Sequence, residues 1–392
     1  MNPPIPTKIL GIETSCDDTA VSLVEASGGL NKPSFKILAQ VVSSQTEIHC
    51  PWGGVVPSLA KREHAKNIVP LLAQVLSQAK VIENGKNKLG KKTIEQIQEL
   101  LTRENDLAEV LITFLEEHKV PSIDAIAVTA GPGLEPALWV GINLAQALSL
   151  AWEKPLIPAN HMEGHLISPL LTNPKKVPFP AIGLLVSGGH TELILIKKWG
   201  QYKILGHTRD DAAGEAFDKV ARILGLPYPG GPAVSQLALL FDENNPYNFK
   251  LPRPMLRTND YDFSFSGLKT AVLYTAKEIA PLDKAKKIAL AWEFEQATVE
   301  VLTTKAFKAV KNFKAKTLIV GGGVMANQIL REKLKAKNEN LSTPIEILWP
   351  IKDHATDNAS MIAGAGYLKL AKTRKPNKNI RAKGQWAIDT SF

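Results

Sequence analysis

Cysteine is scarce in this chain. Among 392 residues only Cys16 and Cys50 occur, far apart and in no CxxC pair. That usage excludes a disulfide framework and fits a reducing compartment. A secretory signal is missing too, because the opening Met-Asn-Pro-Pro-Ile-Pro has neither a basic region nor an apolar one. Long hydrophobic runs are absent. The longest apolar stretch, residues 137–152, is interrupted by Asn143, Gln146 and Ser149, so it reads as a buried helix and not as a membrane span. A cytoplasmic protein with no membrane contact is expected. What remains is ordinary globular composition, 44% apolar and 22% charged. The chain is long enough for two or three domains or one bilobal enzyme.

Basic residues outnumber acidic ones, 47 against 38. Seven of them (Lys369, Lys372, Arg374, Lys375, Lys378, Arg381 and Lys383) crowd residues 369–383, which hold no acid; of the net +9, only +2 is left for the rest of the chain. A tail of this kind can follow a phosphate backbone, and a solvated terminus has the same composition.

An internal echo organises the remainder. Residues 8–25 (KILGIETSCDDTAVSLVE) run strand, polar turn, strand, and residues 35–42 (FKILAQVV) add a third strand. Residues 181–196 (AIGLLVSGGHTELILI) and 202–207 (YKILGH) repeat the plan. In each half a buried strand then meets a glycine loop, IDAIAVTAGPG at 123–133 and TLIVGGG at 317–323, followed by an amphipathic helix. The pattern predicts an α/β protein of two lobes around a cleft, with ligands at the carboxyl ends of the strands. The lobes are expected at 7–172 and 178–360, joined by the Pro- and Lys-rich residues 172–180, with a helix and basic tail at 361–392. Residues 77–106 form a polar, Lys-rich insertion in which Ile94, Ile97, Leu100 and Leu101 mark a short amphipathic helix.

His161-Met-Glu-Gly-His165 carries the clearest chemistry. Residues four apart share one helix face, so both imidazoles can reach one divalent ion. A zinc protease needs Glu directly after the first His; Met162 stands there instead. Two histidines also fall four apart by chance, and the motif is short. Asp357, in DHATDN at 353–358, is a candidate third ligand from the second lobe, although Asp357 and Asn358 also sit where a helix N-cap is expected. Ser187, Gly188 and Gly189 end a strand, and Gly321, Gly322 and Gly323 form a second such loop. Amides in these turns can point at an anion. Asp218 lies beside the apolar face of a helix, where it can accept ribose hydroxyls or pair with Lys219 or Arg222. Asn327 can bond a base or a sugar, or cap a helix. Gly231, in YPGGP, can pack under a flat ring or simply punctuate a loop.

Taken in order, GIETSCDDTAVS (11–22), GGVVPSLAKREH (53–64), TAGPG (129–133), NHMEGH (160–165), LVSGGHT (185–191), DDAAGEAFDKVA (210–221), YPGGP (228–232), FSFSGLKTA (263–271), GGGVMAN (321–327) and TDNASMIA (356–363) resemble the TsaD family, tRNA adenosine threonylcarbamoyltransferases once labelled O-sialoglycoprotein endopeptidases. The resemblance implies an actin-like, Hsp70-like (ASKHA) fold. It implies transfer of threonylcarbamoyl from threonylcarbamoyl-AMP to N6 of adenosine 37 in tRNAs reading ANN codons, with release of AMP. By position it implies His161, His165 and Asp357 as metal ligands. Leu185, Val186, Ser187, Gly188 and Gly189 match the loop around the phosphate and acyl group, and Asp218, Gly231 and Asn327 the adenosine contacts. The expected ion is iron(II), and zinc accepts the same ligands. TsaB-like and TsaE-like partner proteins are implied as well. Leu185 stands where archaeal and eukaryotic members carry a Tyr ligand, and Ser235 where many members carry Asp. No side chain is assigned as general base. A metal-dependent endopeptidase and an ASKHA-type kinase are the rival readings.

Overall fold

The structure is a computed structural model that describes residues 6–373 and 380–390, without the side chain of Thr373. Arg374, Lys375 and Lys378 of the basic tail lie outside the described residues.

Strands form where the apolar, β-branched runs lie: β1 (Thr7–Glu13), β2 (Asp18–Ser27), β3 (Ser34–Ser44), β4 (Ala125–Gly131), β5 (Leu156–Asn160), β6 (Ala181–Val186), β7 (Thr191–Lys198), β8 (Gln201–His207), β9 (Thr317–Gly321) and β10 (Glu346–Leu348). They make two five-stranded mixed sheets, ordered β3-β2-β1-β4-β5 and β10-β9-β6-β7-β8. β1 pairs antiparallel with β2 and parallel with β4, while β6 pairs antiparallel with β7 and parallel with β9. The echo in the sequence is therefore an echo in topology, strand for strand.

Contacts group the chain into two compact units. The first comprises Met1–His49, Val55–Lys176 and Thr356–Phe392; the second comprises Cys50–Gly54 and Val177–Ala355. The expected second lobe ran to residue 360, yet Asp357 belongs to the first unit. The cause is the helix Ala359–Thr373, which lies on β1, β2, β4 and β5. Its small residues let it approach the sheet closely. A Cβ on Gly366 would stand 2.5 Å from the Ala127 Cβ, and one on Gly11 of β1 would stand 2.2 Å from the Ala359 carbonyl oxygen. Contacts this short leave no room for even a methyl group.

Two further segments complete the first unit. In the insertion, the helix Lys91–Leu100 packs on the helices Asn105–Glu117 and Glu135–Trp152, and Ile97 and Leu101 are fully buried. Residues 380–390 return to the sheet: Lys383 N donates to Ala130 O at 2.8 Å, and Ile380, Trp386 and Ile388 are buried. In the second unit the long helix Lys284–Asn312 packs on β6 and on the helix Gly230–Ala238, and Phe217, Phe263, Phe265 and Phe294 lie in the core. Burial of side chains this size contributes roughly 1.5–3 kcal/mol each. Among the described residues, no helix is long and apolar enough to cross a membrane.

Candidate functional site

β5 ends at Asn160, whose side chain accepts from Met162 N at 2.9 Å and Glu163 N at 3.2 Å. This cap starts the helix His161–Ile167, and the i, i+4 spacing turns both imidazoles to one side with ring centroids 4.7 Å apart. Gly164 sits between the two histidines in sequence. A Cβ there would meet Met361 Cγ at 3.0 Å, so glycine allows the helix Ala359–Thr373 to pack against this one. That contact brings Asp357 into place. Its Oδ1 lies 3.4 Å from His161 Nε2 and 3.2 Å from His165 Nε2. Asn358 takes the capping role by accepting from Met361 N at 3.0 Å, which leaves Asp357 to the imidazoles. All three groups come from the first unit, and their candidate ligand atoms lie within 4.8 Å of one another.

The donors fit a metal ion. His165 is 1% exposed, and neither of its ring nitrogens has a hydrogen-bond partner despite the nearby carboxylate. An imidazole buried this way forfeits its hydration with nothing in return, and coordination supplies the missing partner. The other imidazole is held from behind. Glu13, wholly buried at the end of β1, places Oε2 at 2.9 Å from His161 Nδ1, and Thr129 Oγ1 donates to the same oxygen at 2.7 Å. A carboxylate on Nδ1 keeps the proton there and leaves the Nε2 lone pair facing Asp357, the arrangement that supports a metal-bound histidine. Sequence reasoning quoted Glu13 within GIETSC and gave it no role.

The electrostatics agree. Burial works against a charge on His161, but Asp357 and Glu13 outweigh it and hold the imidazole well above its usual range. Burial would likewise raise Asp357, and His161 then His165 hold it well below the usual carboxylate range instead. Asp18, pushed up to about 7 by burial and then by the Asp357 charge, shows how much negative charge gathers here. A cation relieves that crowding.

The second unit holds the other predicted residues. Leu185 and Val186 close β6 with buried side chains, so only their backbone can serve a ligand. The next three residues turn tightly: Ser187 N donates to His190 O at 2.8 Å, and His190 N donates to Ser187 Oγ at 3.1 Å. Gly188 and Gly189 are exposed, and a Cβ on either would meet nothing within 4 Å. The helix Ala213–Leu224 begins against this turn, with Gly214 N donating to Ser187 O at 3.2 Å. Gly322 adopts φ +91°, and a Cβ there would stand 2.4 Å from Val186 O, so the two glycine loops abut.

Asp218, Gly231 and Asn327 meet at the helix Gly230–Ala238. Asp218 Oδ1 accepts from Gly230 N at 2.7 Å. A Cβ on Gly231 would face open space. Asn327 Nδ2 donates to Ser235 Oγ at 2.9 Å, while its Oδ1 caps the helix Gln328–Glu339 through Leu330 N at 2.8 Å. Capping and convergence on the other two positions therefore hold together. Sequence reasoning missed Glu295, whose Oε1 accepts from Asn327 Nδ2 at 2.6 Å.

These arrangements match a known family. Its model, described as TsaD, tRNA N6-adenosine threonylcarbamoyltransferase, matches residues 36–84 and 104–364. The chain belongs to this family. A protein of that description from Methylobacillus flagellatus is 41% identical over 381 residues, covering 97% of this chain and 98% of its own. One from Thermosipho africanus is 44% identical over 374 residues, covering 95% and 98%. A structure of full-length HypF in the phosphate- and nucleotide-bound form superposes with a TM-score of 0.54 at 12% identity, over 95% of this chain and 57% of that one. The likeness to HypF concerns the fold alone, the α/β ASKHA plan of two mixed sheets. The family match skips residues 85–103, the centre of the insertion and the whole of the helix Lys91–Leu100.

Proposed function

We propose that this protein transfers a threonylcarbamoyl group from threonylcarbamoyl-AMP to N6 of adenosine 37 in tRNAs reading ANN codons, and releases AMP. The observation that carries the reading is family membership over nearly the full chain, together with a buried His161, His165 and Asp357 group of the right composition to hold a metal ion.

The donor is a mixed carbamic–phosphoric anhydride and is already activated. The acceptor is an exocyclic amine whose lone pair is delocalised into the ring, so it attacks poorly. The N6–carbonyl bond forms, the carbonyl–oxygen bond to phosphate breaks, and AMP leaves with the electron pair. The chain's main task is then to orient the reactants, which can contribute roughly 7–11 kcal/mol. In this reading Asp218, Gly231 and Asn327 hold the adenosine of the donor. The backbone of Leu185, Val186, Ser187, Gly188 and Gly189 faces the phosphate and acyl group, and the start of the helix Ala213–Leu224 adds its positive end there. His161, His165 and Asp357 hold one divalent ion, iron(II) with zinc as the alternative. When bound, it supplies Lewis acidity toward carbonyl or phosphate oxygen. Glu13 keeps His161 in the ligating tautomer. TsaB-like and TsaE-like partners and a cytoplasmic location belong to the same reading.

The test is His161→Ala in the full chain. It should abolish bound metal and threonylcarbamoyl transfer to tRNA while the far-UV circular dichroism is unchanged. Full transfer by that folded, metal-free variant would remove the ion from the account.

A further inference from the structure

Glu295 is a buried carboxylate with no part in the steps above. It lies in the helix Lys284–Asn312 and is 1% exposed. Burial raises its pKa, and hydrogen bonds from Ser235 and Asn327 oppose the rise. No Lys, Arg or His among the described residues is paired with it. A carboxylate buried without a cation is costly, and such groups gather at binding sites.

Its two partners show what it does. Asn327 Nδ2 donates both to Glu295 Oε1 at 2.6 Å and to Ser235 Oγ at 2.9 Å. The Ser235 hydroxyl donates to the Glu295 carboxylate. An amide nitrogen has two hydrogens and a hydroxyl has one, so every donor of Asn327 and Ser235 is turned inward. Asn327 Oδ1 accepts from Leu330 N and keeps a second lone pair. Outward, the trio has only acceptors to offer. Ser235 sits four residues after Gly231 on the same face of the helix Gly230–Ala238, and Asp218 is tied to the start of that helix.

We infer that Glu295 converts Ser235 and Asn327 into an acceptor-only patch that receives the sugar hydroxyls of a ribonucleotide, and so sets the preference for ribose over deoxyribose at this site. The inference rests on the nucleotide role proposed for the second unit. A phosphate-bearing sugar is repelled by the same patch, since it brings charge of the wrong sign and no donor in place of the hydroxyl.

The test is binding of AMP and of 2′-deoxy-AMP to the full chain by calorimetry. The wild-type protein should bind AMP about tenfold more tightly than the deoxy analogue, as expected when a charge-assisted bond to a hydroxyl is lost. Glu295→Gln is nearly isosteric but can donate. It should compress that ratio to about twofold by weakening AMP alone. Adding Ser235→Asp to Glu295→Gln restores an acceptor carboxylate and should restore the ratio. A folded Glu295→Gln protein with the wild-type ratio overturns the inference, and leaves Asp218 to read the sugar. Should Glu295→Gln fail to fold, Ser235→Ala at a half-exposed position removes the relay and must compress the ratio as well. A wild-type protein that binds neither nucleotide would instead sink the nucleotide reading of the second unit, an outcome distinct from binding with an unchanged ratio.

Discussion

Replacing Glu13 by Gln tests the metal reading without touching a ligand. Glu13 accepts three hydrogen bonds in a site closed to solvent, from His161 Nδ1 and Thr129 Oγ1 on one oxygen and from Ser15 N on the other. Glutamine has one acceptor oxygen and one donor nitrogen. If its oxygen stays with His161, its NH2 faces the Ser15 amide, and a buried hydrogen bond is lost together with the charge. If it turns over, the NH2 faces His161, which must then carry its proton on Nε2 and cannot ligate through that atom. A bond to a charged group contributes about 1.5–3 kcal/mol against about 0.5–1.5 for a neutral one, so the milder outcome weakens metal binding about tenfold. The tautomer change adds more. The expected loss is therefore about 10- to 100-fold, the range seen for groups behind a metal-bound histidine. Competition of the apoprotein against a zinc chelator at pH 7.5 measures it, with His161→Ala as the null-binding control. Zinc affinity within twofold of wild type, in a Glu13→Gln protein with native circular dichroism, would refute the argument.

Three further outcomes follow from the packing. His64 is fully buried and pushed down to about 4 from 6.5, by burial first, so it stays neutral in the fold. Stability is then present above pH 6.5 and lost as pH falls toward 4; between pH 7 and pH 5 wild type should lose about 2 kcal/mol that His64→Gln does not, read by urea unfolding at each pH. Gly11→Ala drives a methyl group to 2.2 Å from the Ala359 carbonyl oxygen and should cost about 3 kcal/mol by displacing the helix Ala359–Thr373; an unchanged urea midpoint counts against that packing. Ending the chain at residue 379 removes buried Ile380, Trp386 and Ile388 and should destabilise the protein by several kcal/mol. The same deletion is therefore a poor probe of the basic tail, and charge-reversing Arg381 while keeping Trp386 is the cleaner way to measure its effect on tRNA binding against salt.

Much of the architecture could be read before folding, for physical reasons. Strands announce themselves by period-two apolar runs, and two copies of one plan reinforce each other. The i, i+4 histidines needed only helix geometry. The allegiance of Asp357 was not legible, because it depends on Gly11, Gly164 and Gly366 letting a distant helix settle on the first sheet, and no local pattern encodes that docking. Glu13 looks like any acid at the end of a strand until its depth is known. Glu295 is hidden for a similar reason. It sits among Lys and Glu residues in a long helix, and only the approach of Asn327 and Ser235 from other elements distinguishes it from its solvated neighbours.

The first unit is interrupted in sequence by the second, and this orders its assembly in time. His165 leaves the ribosome 192 positions before Asp357. At about 5–20 residues per second, the paired imidazoles wait roughly 10–40 s for their carboxylate. The carbonyl of Trp386, which accepts from Asn160 Nδ2 at 3.0 Å and so steadies the residue that opens the histidine helix, arrives later still. A nascent chain stalled anywhere in the second unit cannot close the three-ligand cluster. Loading of the ion is in this way a check on whether synthesis has run past residue 357.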